Sequence, residues 1–219
     1  MRRYFLPGRI FLLFFPLVHC VTASAQETDQ KIRIPPGQRV VKNFPLLHYT
    51  NIPDLDRARW HLKISGVVGE RLDLGWEAFS RIPAIESVSD FHCVTGWTKL
   101  DNHWTGVRIR DLLAMAGLKP AARYITFKGA DGYTTSLPIS ACMGDDDILA
   151  THLEGQLIET SRGGPVRVVI PEKYGYKSSL WVTELVLTRK QEMGLWEKQG
   201  YSNSADPWKE ERFDMKGGH

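Results

Sequence analysis

The residues best suited to chemistry begin with Asp90-Phe91-His92-Cys93-Val94-Thr95-Gly96-Trp97. A strand-like run leads into Cys93, and Gly96 predicts a turn in which a thiol can point at a cofactor. A soft thiolate suits a high-valent, soft-ligated metal, and one protein sulfur is enough if an organic dithiolene supplies the others. Read alone, the segment is better explained by a buried or disulfide-bonded cysteine. A second group is Ser161-Arg162-Gly163-Gly164-Pro165-Val166-Arg167 with Pro171-Glu172-Lys173-Tyr174-Gly175-Tyr176-Lys177-Ser178-Ser179. Its glycines allow backbone N–H groups to approach an anion. Arg162, Arg167, Lys173 and Lys177 can neutralise a phosphate, the arginines through paired N–H donors. A polar loop between two strands would have the same composition.

Other constellations are weaker. His92, His103 and His152 invite a zinc site with Cys93, but their spacing matches no usual zinc pattern. Cys93 with His92 or His103 also keeps a cysteine or zinc hydrolase open. Asp145-Asp146-Asp147 lacks the spacing of a calcium loop and reads as a solvated turn. No glycine-rich nucleotide loop, no Gly-x-Ser-x-Gly elbow and no Cys-x-x-Cys occurs, so nucleotide folds, serine-elbow hydrolases and covalent c-type haem have no support. Redox chemistry here would need a metal that requires few protein ligands.

With 42% hydrophobic and 24% charged residues in 219, the chain can form one sizeable core, and one folded unit is expected. Residues 1–25 carry Arg2, Arg3 and Arg9, an apolar run over 10–18, and Ala23-Ser24-Ala25, the pattern of a secretory signal too short to span a bilayer. Arg2-Arg3-Tyr4-Phe5-Leu6 resembles a twin-arginine signal, which implies export in the folded state to the periplasm. Lipidation at Cys20 is disfavoured by the bulky His19. Loss of the three leader arginines takes the formal charge from +3 to 0, which removes any electrostatic argument for nucleic acid. It also leaves only Cys93 and Cys142, for which one disulfide is the plain expectation in an oxidising compartment.

These candidates need elements to position them. Residues 26–42 read as a flexible, extended lead-in, with regular structure expected from about Arg59. Trp60, Leu62 and Ile64 alternate with polar neighbours as in a strand, and Gly66 and Gly69 bracket a turn into residues 71–74. Ile109, Leu112, Leu113 and Ala116 form the apolar stripe of a helix over 107–116, closed by Gly117. Residues 123–128 and 133–137 form a hairpin through Gly129-Ala130-Asp131-Gly132. Further strands are expected at 148–152, 166–170 and 181–188. The sum is an α+β fold, mainly β with short peripheral helices, followed by a tail over 196–213 that lies on the surface.

The segment from Phe91 to Trp97, with Trp104-Thr105-Gly106-Val107-Arg108-Ile109-Arg110-Asp111-Leu112-Leu113, resembles the molybdopterin-binding domain of the sulfite-oxidase family. Residues 163–177 are similar to that family's second signature, and the resemblance runs from about Asn43 to Trp208. It implies a mixed-sheet α+β domain over 43–219. One molybdenum would be held by a pterin dithiolene, oxo groups and the Cys93 thiolate. The cofactor contacts it implies are Leu47, His48, Tyr49, Arg162, Arg167, Lys177, Ser178 and Ser179. The implied reaction is two-electron oxygen-atom transfer on a small sulfoxide- or sulfite-like substrate, expected beside Trp97 and Tyr133. Electrons would be exchanged with an external cytochrome or haem-containing membrane subunit, since no cytochrome b5-like segment accompanies the domain. Sulfite oxidases carry an arginine soon after the ligand cysteine, and this chain has Gly96-Trp97, more like the bacterial periplasmic branch that includes a methionine-sulfoxide reductase. That reductase has asparagine where this chain has Arg162. The rival readings are the Cys93 hydrolase and a non-catalytic exported domain stapled by a Cys93–Cys142 disulfide.

Overall fold

The computed structural model describes residues 33–214. The leader at 1–25, with Cys20, and residues 26–32 lie outside the described residues. Among those described, two sheets carry the architecture. The first takes the order β1 (Arg39–Val40), β5 (Trp97–Arg108), β8 (Ile148–Leu153), β10 (Arg167–Val169), with β4 (Ile85–Cys93) also paired to β5 and β9 (Gln156–Leu157) to β8. The second runs β3 (Leu72–Gly75), β2 (His61–Gly66), β11 (Val182–Thr188), β6 (Tyr124–Gly129), β7 (Thr134–Pro138). Most neighbours are antiparallel, whereas β1 with β5 and β2 with β11 are parallel, so both sheets are mixed. Two short helices, α1 (Trp76–Ser80) and α2 (Ile109–Met115), complete the expected α+β arrangement.

The core joins the two sheets. Leu62, Ile64, Ile125, Phe127, Leu185 and Leu187 of the second sheet pack in one cluster with Val107, Leu149 and Val168 of the first and with Ile109, Leu112 and Leu113 of α2. Each such side chain contributes about 1.5–3 kcal/mol on burial. Alternation in β2 buries Leu62 and Ile64 as the pattern predicts, and Trp60, just outside the strand, is buried and donates its indole N–H to the Val182 carbonyl at 2.9 Å.

Four expectations need correction. Regular structure starts before Arg59, because β1 pairs Arg39 and Val40 with Trp97 and Thr98. The helix starts at Ile109 rather than Val107, since β5 runs through Val107 and Arg108, and the Ile109 N–H bonds the Asp147 carbonyl. The twelve-residue β5 itself escaped the pattern reading. Lys99, Asp101, Asn102 and His103 make it look polar, yet Asp101 and His103 point to solvent while Leu100, Asn102 and Trp104 are buried. Finally, Asp147 is not solvated: it is buried and accepts the Gly144 N–H at 2.7 Å.

Candidate active site at the Cys93 turn

β4 ends at Cys93, the chain turns through Gly96 at φ 90°, and β5 leaves at Trp97, paired with Cys93, so the loop is a short hairpin turn. The Gly96 N–H closes the turn on the Cys93 carbonyl at 3.0 Å. The half-buried Cys93 thiol lies 3.1 Å from the Thr95 hydroxyl and lines a cleft of about 410 Å³. Successive residues of a strand face opposite sides, which separates His92 from that thiol. His92 is buried, its Nδ1 2.9 Å from the Thr98 hydroxyl and its ring 4.9 Å from that of Trp208. His103 is exposed in the middle of β5, opposite Val88. Neither histidine lines the cleft. Among the described residues no group of three or more His, Cys, Asp or Glu could hold a metal ion, so the zinc reading lacks its ligand set. The Cys93–Cys142 staple is also corrected: both cysteines are free, and Cys142 is buried in the main core, where burial pushes its thiol pKa up.

The second candidate group forms the facing wall. Arg162, Arg167 and Ser178 line the cleft, as do Leu47, His48 and Tyr49, and with Cys93, Trp97 and Tyr133 they form one cavity. His48 Nε2–H donates to the Ser161 carbonyl at 2.6 Å and its ring sits 5.3 Å from Trp181. Arg162 donates to the Phe44 carbonyl at 3.2 Å. These contacts hold the 44–49 segment over the basic loop. Lys177 and Ser179 are not part of the cavity wall. The Lys177 ammonium is fully buried and donates to Glu197 Oε1 at 2.6 Å and to the Ser136 carbonyl at 3.0 Å, and Ser179 donates to the Leu180 carbonyl. Lys173 also lies outside the cavity wall. The glycines have another use than the one expected. The N–H groups of Gly163 and Gly164 bond the Thr160 and Glu159 carbonyls, and a Cβ on Gly164 would stand 1.9 Å from the Ile158 carbonyl oxygen. Their role is close packing of the loop rather than donation into the cleft.

Arg167 is the electrostatic centre of the site. It is 4% exposed, and among the described residues no carboxylate pairs with it. Its guanidinium lies 5.3–5.5 Å from the ring centroids of Phe44, Phe91 and Trp104, and it donates to the Arg162 carbonyl at 3.1 Å. The Nε–H has no partner. Burial first, then the neighbouring Arg162 charge, pulls its pKa down to about 10, which leaves it cationic at neutral pH. A buried cation without a counter-charge, with an unpartnered donor beside a cleft, fits an anionic ligand group.

Tyr133 donates its phenol O–H to the Tyr176 carbonyl at 2.5 Å, and burial followed by the Glu197 charge raises its pKa well above the ordinary value. Trp196 and Tyr201, from the region read as a surface tail, complete the wall with ring centroids 5.0 Å apart. Their aromatic character was visible in sequence, but nothing in local spacing assigned them to a cavity.

Residues 49–196 match the family model described as the oxidoreductase molybdopterin binding domain. The chain belongs to that family. It is 37% identical over 191 residues, 87% of its length and 96% of the relative's, to the uncharacterized oxidoreductase YuiH of Bacillus subtilis (strain 168). It is 28% identical to the putative protein-methionine-sulfoxide reductase subunit YedZ1 of Azospira oryzae, covering 84% of this chain and 71% of that one. To the protein-methionine-sulfoxide reductase catalytic subunit MsrP of Campylobacter jejuni it is 26% identical, over 63% of this chain and 52% of that one. Among solved structures, the sulfane dehydrogenase SoxCD from Paracoccus pantotrophus superposes with TM-score 0.61 at 20% identity, over 86% of this chain and 58% of that chain, and so shares the fold. The protein is therefore a molybdopterin-dependent oxidoreductase of the sulfite-oxidase type, and the Arg167 cation in the same cleft as the Cys93 thiol suits that cofactor.

Proposed function

We propose that the protein works outside the cytoplasm, that Cys93 is its thiolate ligand to one molybdenum, and that it carries out two-electron oxygen-atom transfer on a small sulfoxide- or sulfite-like substrate. The observation that carries this reading is the pairing of an accessible thiol with the buried, uncompensated Arg167 in one cleft. Arg167 and Arg162 would hold the cofactor phosphate, and Leu47, His48, Tyr49 and Ser178 would border the pterin. Lys177 and Ser179 would support this wall from behind. When bound, the cofactor supplies a metal centre that accepts or donates electrons in pairs with oxygen transfer. The chain's own residues bind and orient that group. Trp97, Tyr133 and Tyr176 exclude water from the thiol side of the cleft, and the raised phenol of Tyr133 keeps its proton on the bond to Tyr176.

The names of the two methionine-sulfoxide reductase relatives support a sulfoxide-like substrate, as does Trp97 where sulfite oxidases place an arginine. Export is supported by the leader at 1–25, the polar residues 26–32 would link it to the oxidoreductase domain, which already includes β1, and a separate haem protein is the natural electron partner. No helix among the described residues is long and apolar enough to cross a membrane. Protein from molybdenum-replete cells should contain about one metal per chain. Cys93→Ser should lose both the metal's thiolate signature and turnover of a methyl sulfoxide with an artificial electron donor. Retention of both in that variant would overturn the ligand assignment. Replacing Arg2 and Arg3 by Lys should leave the protein in the cytoplasmic fraction.

A further inference from the structure

We infer that the two ends of the described chain act together as a clamp that sets the orientation of Cys93, with Gln38 and Arg212 as positioning residues. The inference rests on the reading of Cys93 as the metal ligand. Gln38 donates its amide N–H to the Cys93 carbonyl at 3.1 Å, and Arg212 donates to the next carbonyl, that of Val94. Fixing both carbonyls fixes the peptide planes after Cys93, and with them the direction of its Cα–Cβ bond. From the same N-terminal segment the Arg39 N–H reaches the Gly96 carbonyl at 3.1 Å, so every carbonyl of the turn except that of Thr95 is held by a backbone or side-chain donor from one end or the other.

The tail holds the opposite side as well. The Tyr174 N–H bonds the Ala205 carbonyl at 2.9 Å, Tyr174 is bridged to His92, and Trp208 packs on the His92 ring. Arg212 also lies over the Tyr174 ring at 5.4 Å. The two ends meet directly, since a Cβ on Gly37 would stand 3.0 Å from Glu210 Oε1 and 3.3 Å from the Arg212 guanidinium. Ala205 and Glu210 adopt φ of 57° and 52°, a region side-chain-bearing residues enter only when the surroundings hold them there. Gln38, Ala205, Trp208 and Arg212 all lie outside residues 49–196, so the clamp is added to the domain rather than part of its matched body.

The test uses the full chain as Gln38→Ala, Arg212→Ala and the double variant, with Arg212→Lys as the conservative rescue. Leu113→Ala, in the core away from the turn, serves as a control destabilised without touching the clamp. In metal-free protein, the rate of Cys93 alkylation at one fixed pH should rise about tenfold in the double variant, because the turn opens more often. In loaded protein, the thiolate–metal absorption and paramagnetic signature should shift in both alanine variants, return in Arg212→Lys and stay unchanged in Leu113→Ala. The single variants carry the test if the double does not fold. Unchanged labelling and signature in the alanine variants defeats the clamp, as does an equal change in Leu113→Ala, which would mark a purely structural role. Cys93→Ser run alongside separates the two readings. If it abolishes the signature while the clamp variants change nothing, only the clamp fails, whereas if it keeps the signature, the ligand assignment falls and the clamp with it.

Discussion

Two residues set the character of the cleft, and each makes a prediction that concerns itself alone. Arg167 is a cation held among three aromatic rings without a carboxylate among the described residues, an arrangement that weakens the empty protein and favours an anion-bound one. Arg167→Met should therefore leave the metal-free fold at least as resistant to denaturant as the wild type, while cofactor retention through gel filtration falls about 10- to 100-fold, the range for losing a charge-assisted contact. The two cysteines should part company in the same way. The half-buried Cys93 should take up an alkylating agent in native metal-free protein, and Cys142, buried with its pKa pushed up, should react only after denaturation. Native labelling of Cys142, or absence of free thiols in denatured, non-reduced protein, would contradict this assignment. Both roles were partly legible beforehand, since the residue types and their motifs are local. That no carboxylate among the described residues meets Arg167 was not, because it depends on what the fold brings near it.

At the scale of elements, the loop before β10 and the start of α2 carry the sharpest consequences. The Gly164 backbone lies so close to Ile158 that a methyl group cannot fit without moving main chain. Gly164→Ala should cost about 1–3 kcal/mol or more in urea unfolding, with Arg162 and Arg167 displaced as the loop shifts. Asp147, whose carbonyl receives the first N–H of α2, has its pKa pushed up to about 6, first by burial and then by Glu172 and Asp146, against the Gly144 N–H and Lys173. The folded state thus binds its proton more tightly than the unfolded chain does, so ionisation between about pH 4 and 6 weakens the fold as pH rises. Asp147→Asn, which keeps an acceptor for Gly144, should raise the thermal midpoint at pH 7.5, and the gain should vanish near pH 4. A gain that persists unchanged at pH 4 would remove titration of this carboxyl as the cause. Strands such as β2, β6 and β11, and α2, were readable from periodicity because their apolar faces meet a core. β5 was hidden because polar residues alternate along it, and its buried Asn102 takes the place of an apolar signal.

For the whole molecule, the deciding contact is the buried Lys177–Glu197 pair. Glu197 Oε1 also accepts from the Thr135 hydroxyl and the Ser136 N–H, so the tail is pinned to β7 directly behind the cleft. Lys177→Met leaves that carboxylate buried without a counter-cation and should cost about 3–5 kcal/mol. The double variant Lys177→Met/Glu197→Leu should recover a large part of the loss, since neither charge remains. Because Trp196 and Tyr201 flank Glu197 and line the cleft, the single variant should also lose cofactor faster than the double one, as metal analysis after dialysis would report.

The sequence alone determined the parts whose meaning is local: the strand and turn that present Cys93, the amphipathic stripe of α2, the hairpin through Gly129-Ala130-Asp131-Gly132, and the two motifs that point to a molybdopterin oxidoreductase. Turn chemistry and side-chain periodicity act over a few residues, so they can be read in a line. Tertiary structure alone decided which charges are compensated and which are left free. It turned Lys177 away from the anion site toward a carboxylate 20 residues further on, left Arg167 without a carboxylate among the described residues, and brought Gln38 and Arg212 onto neighbouring carbonyls of one turn. The physical reason is that electrostatic compensation and clamping depend on distance in space, which sequence separation does not fix.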